Sequence, residues 1–197
     1  MKLRLFILLL VMLFVVAQAV IAERVFVRSS VPQEQINDRF FLQLGNELMR
    51  QGNQDLALKA YQKGLEYDQN PALYYNIGYY YYLHNEVSKA ADQFFRAASL
   101  NTAYASPRMA LMKLYQEQGN LDAALTYAKQ LLAIDQNNAE YWFNYGVLVV
   151  DIFRMNGNAD LDEAINAFSA AEQLSPGFPH AKENAMWLHG LLARNVQ

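Results

Sequence analysis

The feature that most constrains this chain is an internal repeat that returns four times along the 197 residues. In each copy a large residue is followed, three positions later, by an apolar residue and then a small one. The positions of the small residue are Gly45, Gly78, Met112 and Gly146, which lie 33, 34 and 34 residues apart. A second motif follows each of them, as Ala57 and Tyr61, Ala90 and Phe94, Ala124 and Ala128, and Ala164 and Phe168. Units of this length stack in series, because one unit cannot bury its apolar face alone.

The spacing of apolar residues predicts that every repeat is a pair of helices. The predicted pairs cover 33–51 and 54–67, 71–84 and 87–100, 105–118 and 121–134, and 139–155 and 160–174. Glycine or asparagine falls in the turn inside each pair, where a left-handed residue ends a helix. Gly45, Gly78 and Gly146 have no side chain, so the second helix can approach closely. Met112 breaks this rule and Arg108 replaces a large apolar residue, so we expect the third pair to be looser or its first helix displaced.

This pattern resembles the tetratricopeptide repeat. The resemblance implies an all-α fold, a right-handed α-solenoid of helix-turn-helix repeats, and a non-catalytic scaffold for protein interactions. Residues 38–178 would hold the four repeats, followed by a capping helix and tail over 179–197. The expected repeat boundaries are 38–70, 71–104, 105–138 and 139–178.

The fourth repeat is longer than the others. Its two motifs, Gly146 and Ala164, lie 18 residues apart, against 12 in the other repeats. The six extra residues fall within Asp151–Asp160, and we expect them to lengthen the first helix and its turn into a protrusion. Oxygen-bearing side chains alternate there in a pattern that faintly suggests calcium, but the glutamate and glycine of a calcium loop are not in place. Asp160 as the N-cap of a helix is the favoured interpretation.

The last segment predicts a single helix that caps the array. Ala181, Ala185, Leu188 and Leu192 recur at helical spacing and form one apolar stripe. Trp187 lies off that stripe, so it either covers an edge or marks an interaction surface.

The first 22 residues read as a targeting segment that is not part of the repeat fold. Lys2 and Arg4 precede 13 apolar residues, from Leu5 to Ala17, and Ala17 to Ala19 resembles a cleavage site. Residues 1–22 are therefore a cleaved signal peptide or, through residues 5–22, a membrane anchor, and 23–37 are a linker. Since basic residues stay on the cytoplasmic side, both alternatives predict an extracytoplasmic location.

Composition excludes several functions. The chain has no cysteine, which excludes disulfides and thiolate chemistry. Its net charge of −3 comes without a basic stripe, so we do not expect a nucleic acid partner. The three histidines are scattered without carboxylates at metal-ligand spacing. We therefore expect no enzyme activity, no cofactor and no metal site.

The resemblance also indicates where a partner would bind. In the family, side chains on the first helix of each pair face a concave groove, one position beyond the packing residues. In this chain those positions form four trios with i, i+4, i+7 spacing. They are Leu42, Asn46 and Met49; Tyr75, Tyr79 and Tyr82; Met109, Lys113 and Gln116; and Phe143, Val147 and Val150.

Some relatives grip peptide carboxylates with lysine, arginine and asparagine at fixed places in the groove. Asn46 and Asn76 match the asparagines, but Leu42, Ser106 and Ala110 stand where bases are needed. The resemblance therefore does not imply that carboxylate clamp.

We expect the groove to hold a segment of a protein partner. Two alternatives stay open. Tyrosine faces also stack on sugar rings, and periplasmic scaffolds of exopolysaccharide export resemble such arrays. Self-association through an incompletely capped end is the third possibility.

Overall fold

The computed structural model of the chain describes residues 35–157 and 159–194. Over these residues the secondary structure consists of helices joined by short turns, without a strand. The helices are α1 (Asp38–Arg50), α2 (Gln54–Gly64), α3 (Pro71–Leu83), α4 (Val87–Leu100), α5 (Ala105–Glu117), α6 (Leu121–Ile134), α7 (Ala139–Asn156), α8 (Leu161–Leu174) and α9 (Ala181–Arg194). The predicted all-α fold made of helix pairs is thus confirmed. The signal or anchor at 1–22 and most of the 23–37 linker lie outside the described residues.

Two predicted helix ends were wrong in the first pair. We placed the start of the first helix at 33, but α1 starts at Asp38 because the Asn37 side chain caps it, accepting a hydrogen bond from the Phe40 N–H at 3.0 Å. The second helix was expected to reach 67, whereas α2 ends at Gly64 and a short turn follows.

The chain divides into two compact units, Met1–Gln69 and Asn70–Gln197. In the first unit α1 packs on α2 through Gly45 and Tyr61. A Cβ atom at Gly45 would overlap the Tyr61 ring, which is 1% exposed. The Tyr61 hydroxyl donates a hydrogen bond to Asn46 Oδ1 at 2.9 Å, and burial raises the pKa of Tyr61 to about 12. The glycine is needed here because an aromatic ring fills the space.

The second unit repeats this contact twice, in the pairs α3–α4 and α7–α8. A Cβ at Gly78 would lie 2.7 Å from the Phe94 ring, and one at Gly146 would lie 2.9 Å from the Phe168 ring. Such distances force a shift of the ring, so glycine lets each aromatic side chain lie against the facing helix.

The third pair, α5–α6, reverses the sizes of these two residues. Met112 takes the position of the glycine, and Ala128 takes the position of the aromatic residue. Both are buried in one core cluster, at 4% and 0% exposure. A large side chain on the first helix and a small one on the second fill the same space in the opposite order.

Arg108, the other irregular residue of the third pair, joins it to the preceding helix. Its guanidinium donates hydrogen bonds to the carbonyls of Ala98 and Tyr104, at 3.2 and 3.3 Å. The last carbonyls of α4 have no partner within that helix, and a cation suits this negative end of the helix dipole.

The insertion in the fourth repeat lengthens α7 to 18 residues, against 13 in α1, α3 and α5. The connection to α8 covers 157–160, one residue longer than the turns in the other pairs. Asp160 caps α8 by accepting a hydrogen bond from the Asp162 N–H at 2.9 Å.

Helix α9 packs on α8 as a single helix. Ala181, Ala185 and Leu188 are buried, and Leu192 packs against the same core. Trp187 is 51% exposed, off this stripe as expected. Among the helices of the described residues, none has the length and apolar character of a membrane span.

Candidate partner-binding groove

A groove of about 390 Å³ opens in the second unit between α3, α5 and the start of α7. Its lining is mostly apolar and aromatic, with a few polar groups, which is the usual make-up of a binding site. The lining residues are Tyr75, Tyr79, Tyr82, Phe94, Ala105, Ser106, Met109, Ala110, Lys113, Asn138, Glu140 and Tyr141.

The first wall is the tyrosine trio of α3. Tyr79 is 42% exposed, and its ring stacks on Tyr82 with centroids 6.4 Å apart. Tyr75 is half-buried, with its ring 5.6 Å from Phe94 and 5.7 Å from Tyr104. Burial, and secondarily the nearby Tyr79, raises the pKa of Tyr75. Tyr75 therefore presents a neutral phenol ring to the groove at neutral pH.

The neighbouring tyrosines of α3 differ in burial. Tyr74 and Tyr81 are half-buried, and Tyr81 packs against the core cluster that contains Ala90 and Phe94. Tyr80 is the buried tyrosine of this helix, at 9% exposure. The Tyr81 ring also lies beneath the Lys89 ammonium, 5.1 Å from its centroid. Tyr80 is thus the buried tyrosine of this helix with which the exposed Tyr79 can be compared.

The floor of the groove is built by α5 from small residues. Ser106 and Ala110, which occupy the places of the clamp's basic residues, leave open space between the tyrosines and α7. Met109 also lines this floor, and its sulfur accepts a hydrogen bond from the Asn144 amide at 3.6 Å. Lys113 stands exposed at the edge and forms no ion pair with a described residue. Among the described residues, Lys113 is thus a cation without an ion pair beside an open cleft.

The wall opposite the tyrosines, here called the α7 wall, is the first turn of α7. Asn138 caps this helix, and its Oδ1 accepts hydrogen bonds from the N–H groups of Glu140 and Tyr141, at 2.9 and 3.3 Å. Burial, and to a lesser degree Asp135 and Glu140, raises the pKa of Tyr141. Glu140 is exposed and makes no ion pair with the described part of the chain.

Hydrogen bonds join the C-terminal ends of the same three helices. The Tyr82 hydroxyl donates to both carboxylate oxygens of Glu117, at 2.7 and 3.0 Å, and this bond raises the pKa of Tyr82. The Gln116 amide donates to Asp151 at 2.9 Å. Each bond joins two residues that lie 35 positions apart in the sequence, which is one repeat of 34 residues plus one residue. The helix ends are thus linked, while the groove opens nearer the starts of α5 and α7.

Five of the twelve predicted residues come together in this groove: Tyr75, Tyr79, Tyr82, Met109 and Lys113. Gln116 is half-buried beside Asp151 and does not line it. Leu42, Asn46 and Met49 belong to the first unit, where Asn46 accepts the hydrogen bond from Tyr61.

The fourth trio lies away from the groove. The Phe143 ring packs between Phe168 and Phe178, with centroids 5.4 and 5.2 Å apart. Val147 and Val150 border a separate cavity of about 210 Å³ beside α9. Val150 is only 8% exposed, so its assignment to an open face was wrong: it belongs to the core beneath the capping helix.

The α7 wall, formed by Asn138, Glu140 and Tyr141, was not predicted from the sequence. The i, i+4, i+7 spacing selects one face of the first helix in each pair, and it does not include the turn at the start of that helix. The asparagine before Ala139 is a recognisable N-cap, and it was the available signal for that turn.

Comparison with known proteins agrees with this architecture. Two family models, each described as tetratricopeptide repeat, match residues 42–105 and 105–148, which together exceed half of the chain. No curated protein matches the sequence.

Solved structures share the fold. MamA is 25% identical, with a TM-score of 0.60 over 70% of this chain and 78% of its own. YrrB, described as a TPR protein with an unusual peptide-binding site, is 23% identical, with a TM-score of 0.63 over 78% of this chain and 76% of its own. MamA from residue 41 onward, from Desulfovibrio magneticus RS-1, is 13% identical with a TM-score of 0.65, covering 79% and 85%. The chain belongs to the tetratricopeptide repeat family and has its helical scaffold.

Proposed function

We propose that this protein is a non-catalytic adaptor that holds a segment of a partner protein in the groove between α3, α5 and the start of α7. The observation that carries the proposal is Tyr79, a large aromatic side chain that is 42% exposed at the edge of a 390 Å³ cleft. Exposed aromatic residues beside a concave apolar surface are typical of binding sites. YrrB, a protein of similar fold, has a peptide-binding site, which supports the same kind of partner.

The energetics favour modest affinity. Covering two or three large side chains contributes about 1.5–3 kcal/mol each. Association itself costs an estimated 4 kcal/mol or more. The net gain suits an adaptor that assembles and releases its partner, or one that binds through several sites.

We further propose that the repeats work outside the cytoplasmic membrane. Lys2 and Arg4 ahead of the apolar run support this orientation. A reporter enzyme fused after Gln197 should be active only on the far side of the membrane, and cytoplasmic activity would contradict the proposal.

A polysaccharide is the second candidate ligand, because the stacked Tyr79 and Tyr82 rings present a flat aromatic face beside the polar Asn138 and Glu140. Sugar rings pack on such faces. The apolar floor at Met109 and Ala110 favours the protein segment instead.

The test places a photo-crosslinking amino acid at position 79 and, as a control, at position 95. Phe95 is a matched control because it is 58% exposed and does not line the groove. We expect crosslinks to one recurrent peptide sequence from position 79 and none to it from position 95. Carbohydrate on the crosslinked product would favour the second candidate.

A synthetic copy of the crosslinked peptide then measures the contribution of Tyr79. Binding should weaken by about 2 kcal/mol or more in Tyr79→Ala if this residue is a hot spot, with an almost unchanged melting temperature. Phe95→Ala should bind normally. Tyr80→Ala is the core control and should lower the free energy of unfolding by about 3 kcal/mol. Equal destabilisation by Tyr79→Ala and Tyr80→Ala would refute the groove.

A further inference from the structure

Several hydrogen-bonding groups on the groove have no partner among the residues that the structure describes. The hydroxyls of Tyr75, Tyr79 and Tyr141 bond to none of the residues that the structure describes. The Lys113 ammonium, on the same lining, has no carboxylate partner within those residues either. The ammonium can only donate, so a partner that displaces its water has to supply an acceptor, and the hydroxyls can donate to the same group.

Two acceptors in or beside the groove already have partners. Asn138 Oδ1 already accepts two N–H groups of α7. The carboxylate of Glu117, at the end of the groove, accepts the Tyr82 hydroxyl. Glu140 is the remaining anion on the lining, and it lies in the first turn of an 18-residue helix, whose positive dipole end offsets its charge.

Resting on the proposed function, we infer that the partner segment is acidic: it carries a carboxylate beside a bulky apolar side chain. The apolar side chain fills the cleft above Ser106 and Ala110, against the tyrosine wall. The carboxylate pairs with Lys113 and accepts hydrogen bonds from the free phenol hydroxyls. This recognition differs from a clamp of several fixed bases, because one lysine supplies the charge and tyrosines supply the remaining donors.

Three peptides test the inference on the full chain held in detergent. They share a central Leu-Trp-Leu and differ only in the flanking residues, which are aspartate, lysine or serine. Fluorescence anisotropy gives the affinity of each. We expect the aspartate peptide to bind about two- to fivefold more tightly than the serine peptide, the range of one exposed ion pair, and the lysine peptide to bind most weakly.

Matched charge variants assign the preference to the groove. Lys113→Gln should abolish the preference for aspartate, and Glu140→Gln should increase it. Lys182→Gln and Glu183→Gln, exposed on α9 and away from the lining, make the same charge changes and should leave it unaltered.

The outcomes separate this inference from the proposed function. Equal binding of the three peptides that is still lost in Tyr79→Ala would overturn the acidic segment and leave the adaptor intact. Preference for lysine, abolished by Glu140→Gln, would also overturn it. Binding that ignores Tyr79→Ala, or no binding of any peptide, would contradict the groove itself and with it the proposed function.

Discussion

Two trios that occupy equivalent positions in their repeats differ in how far they are exposed to solvent. The trio of α3, Tyr75, Tyr79 and Tyr82, borders the groove and has one exposed member, Tyr79. The trio of α7, Phe143, Val147 and Val150, has no exposed member, and Val150 is buried. The two trios lie 68 residues apart, two full periods, and have the same spacing. Position within the repeat therefore does not by itself decide whether a residue meets a partner or the core.

The helix or turn that faces each trio determines whether the trio is covered. Opposite the trio of α3, helix α5 presents Ser106 and Ala110, which are too small to fill the space. Beside the trio of α7 lie the Phe178 ring and Leu188 of the capping helix. In a stacked array each surface is completed by the next unit, so small residues there open a cleft and large ones close it.

The largest expected effect comes from placing a charge in the covered trio. Val150→Asp should lower the free energy of unfolding by about 3 kcal/mol, because it moves a carboxylate from water into the apolar core beneath the capping helix. Urea unfolding measures the loss. Tyr79→Asp, the same charge on the open trio, should change stability by about 0.5 kcal/mol or less. Similar losses at both positions would remove the distinction between the trios.

The contrast between the trios also shows which features of the fold can be predicted from the sequence alone. Helix pairs and their order follow from Gly45, Gly78, Gly146 and the alanines, because the signals are local and repeat. The face of each first helix was also predictable from its spacing. Burial of Val150 was not predictable: the apolar stripe predicts the capping helix itself, but nothing near Val150 indicates that this helix covers it.

A second, intermediate effect tests how α5, the floor of the open groove, is held. Ala128→Phe should overpack against Met112 and lower stability by about 1–3 kcal/mol. Adding Met112→Gly restores the glycine–aromatic arrangement of the other pairs, so the double variant should recover about 1 kcal/mol or more of that loss. Chemical denaturation of both single variants and the double gives the coupling. Strictly additive losses would mean that the two side chains do not share one space.

The smallest effect concerns the hydrogen bond that joins α3 to α5 at the end of the groove. Tyr82→Phe keeps the stacked ring but removes the donor to Glu117. It should lower the free energy of unfolding by about 0.5 kcal/mol, which is the low end for a hydrogen bond because this pair is open to solvent.

The same bond makes the effect depend on pH, because it raises the pKa of Tyr82 above its value in the unfolded chain. A raised pKa means that the contribution is fully present below the unfolded-state value of about 10 and is lost as the pH rises through the folded-state value. The difference in stability between the wild type and Tyr82→Phe should therefore be constant near neutral pH and decline in alkaline solution. Since the other tyrosines titrate in both proteins, their contribution cancels in the difference. Denaturation curves of the two proteins at matched pH values measure it, and a difference that grows with pH would mean that the Tyr82 hydroxyl does not donate to Glu117.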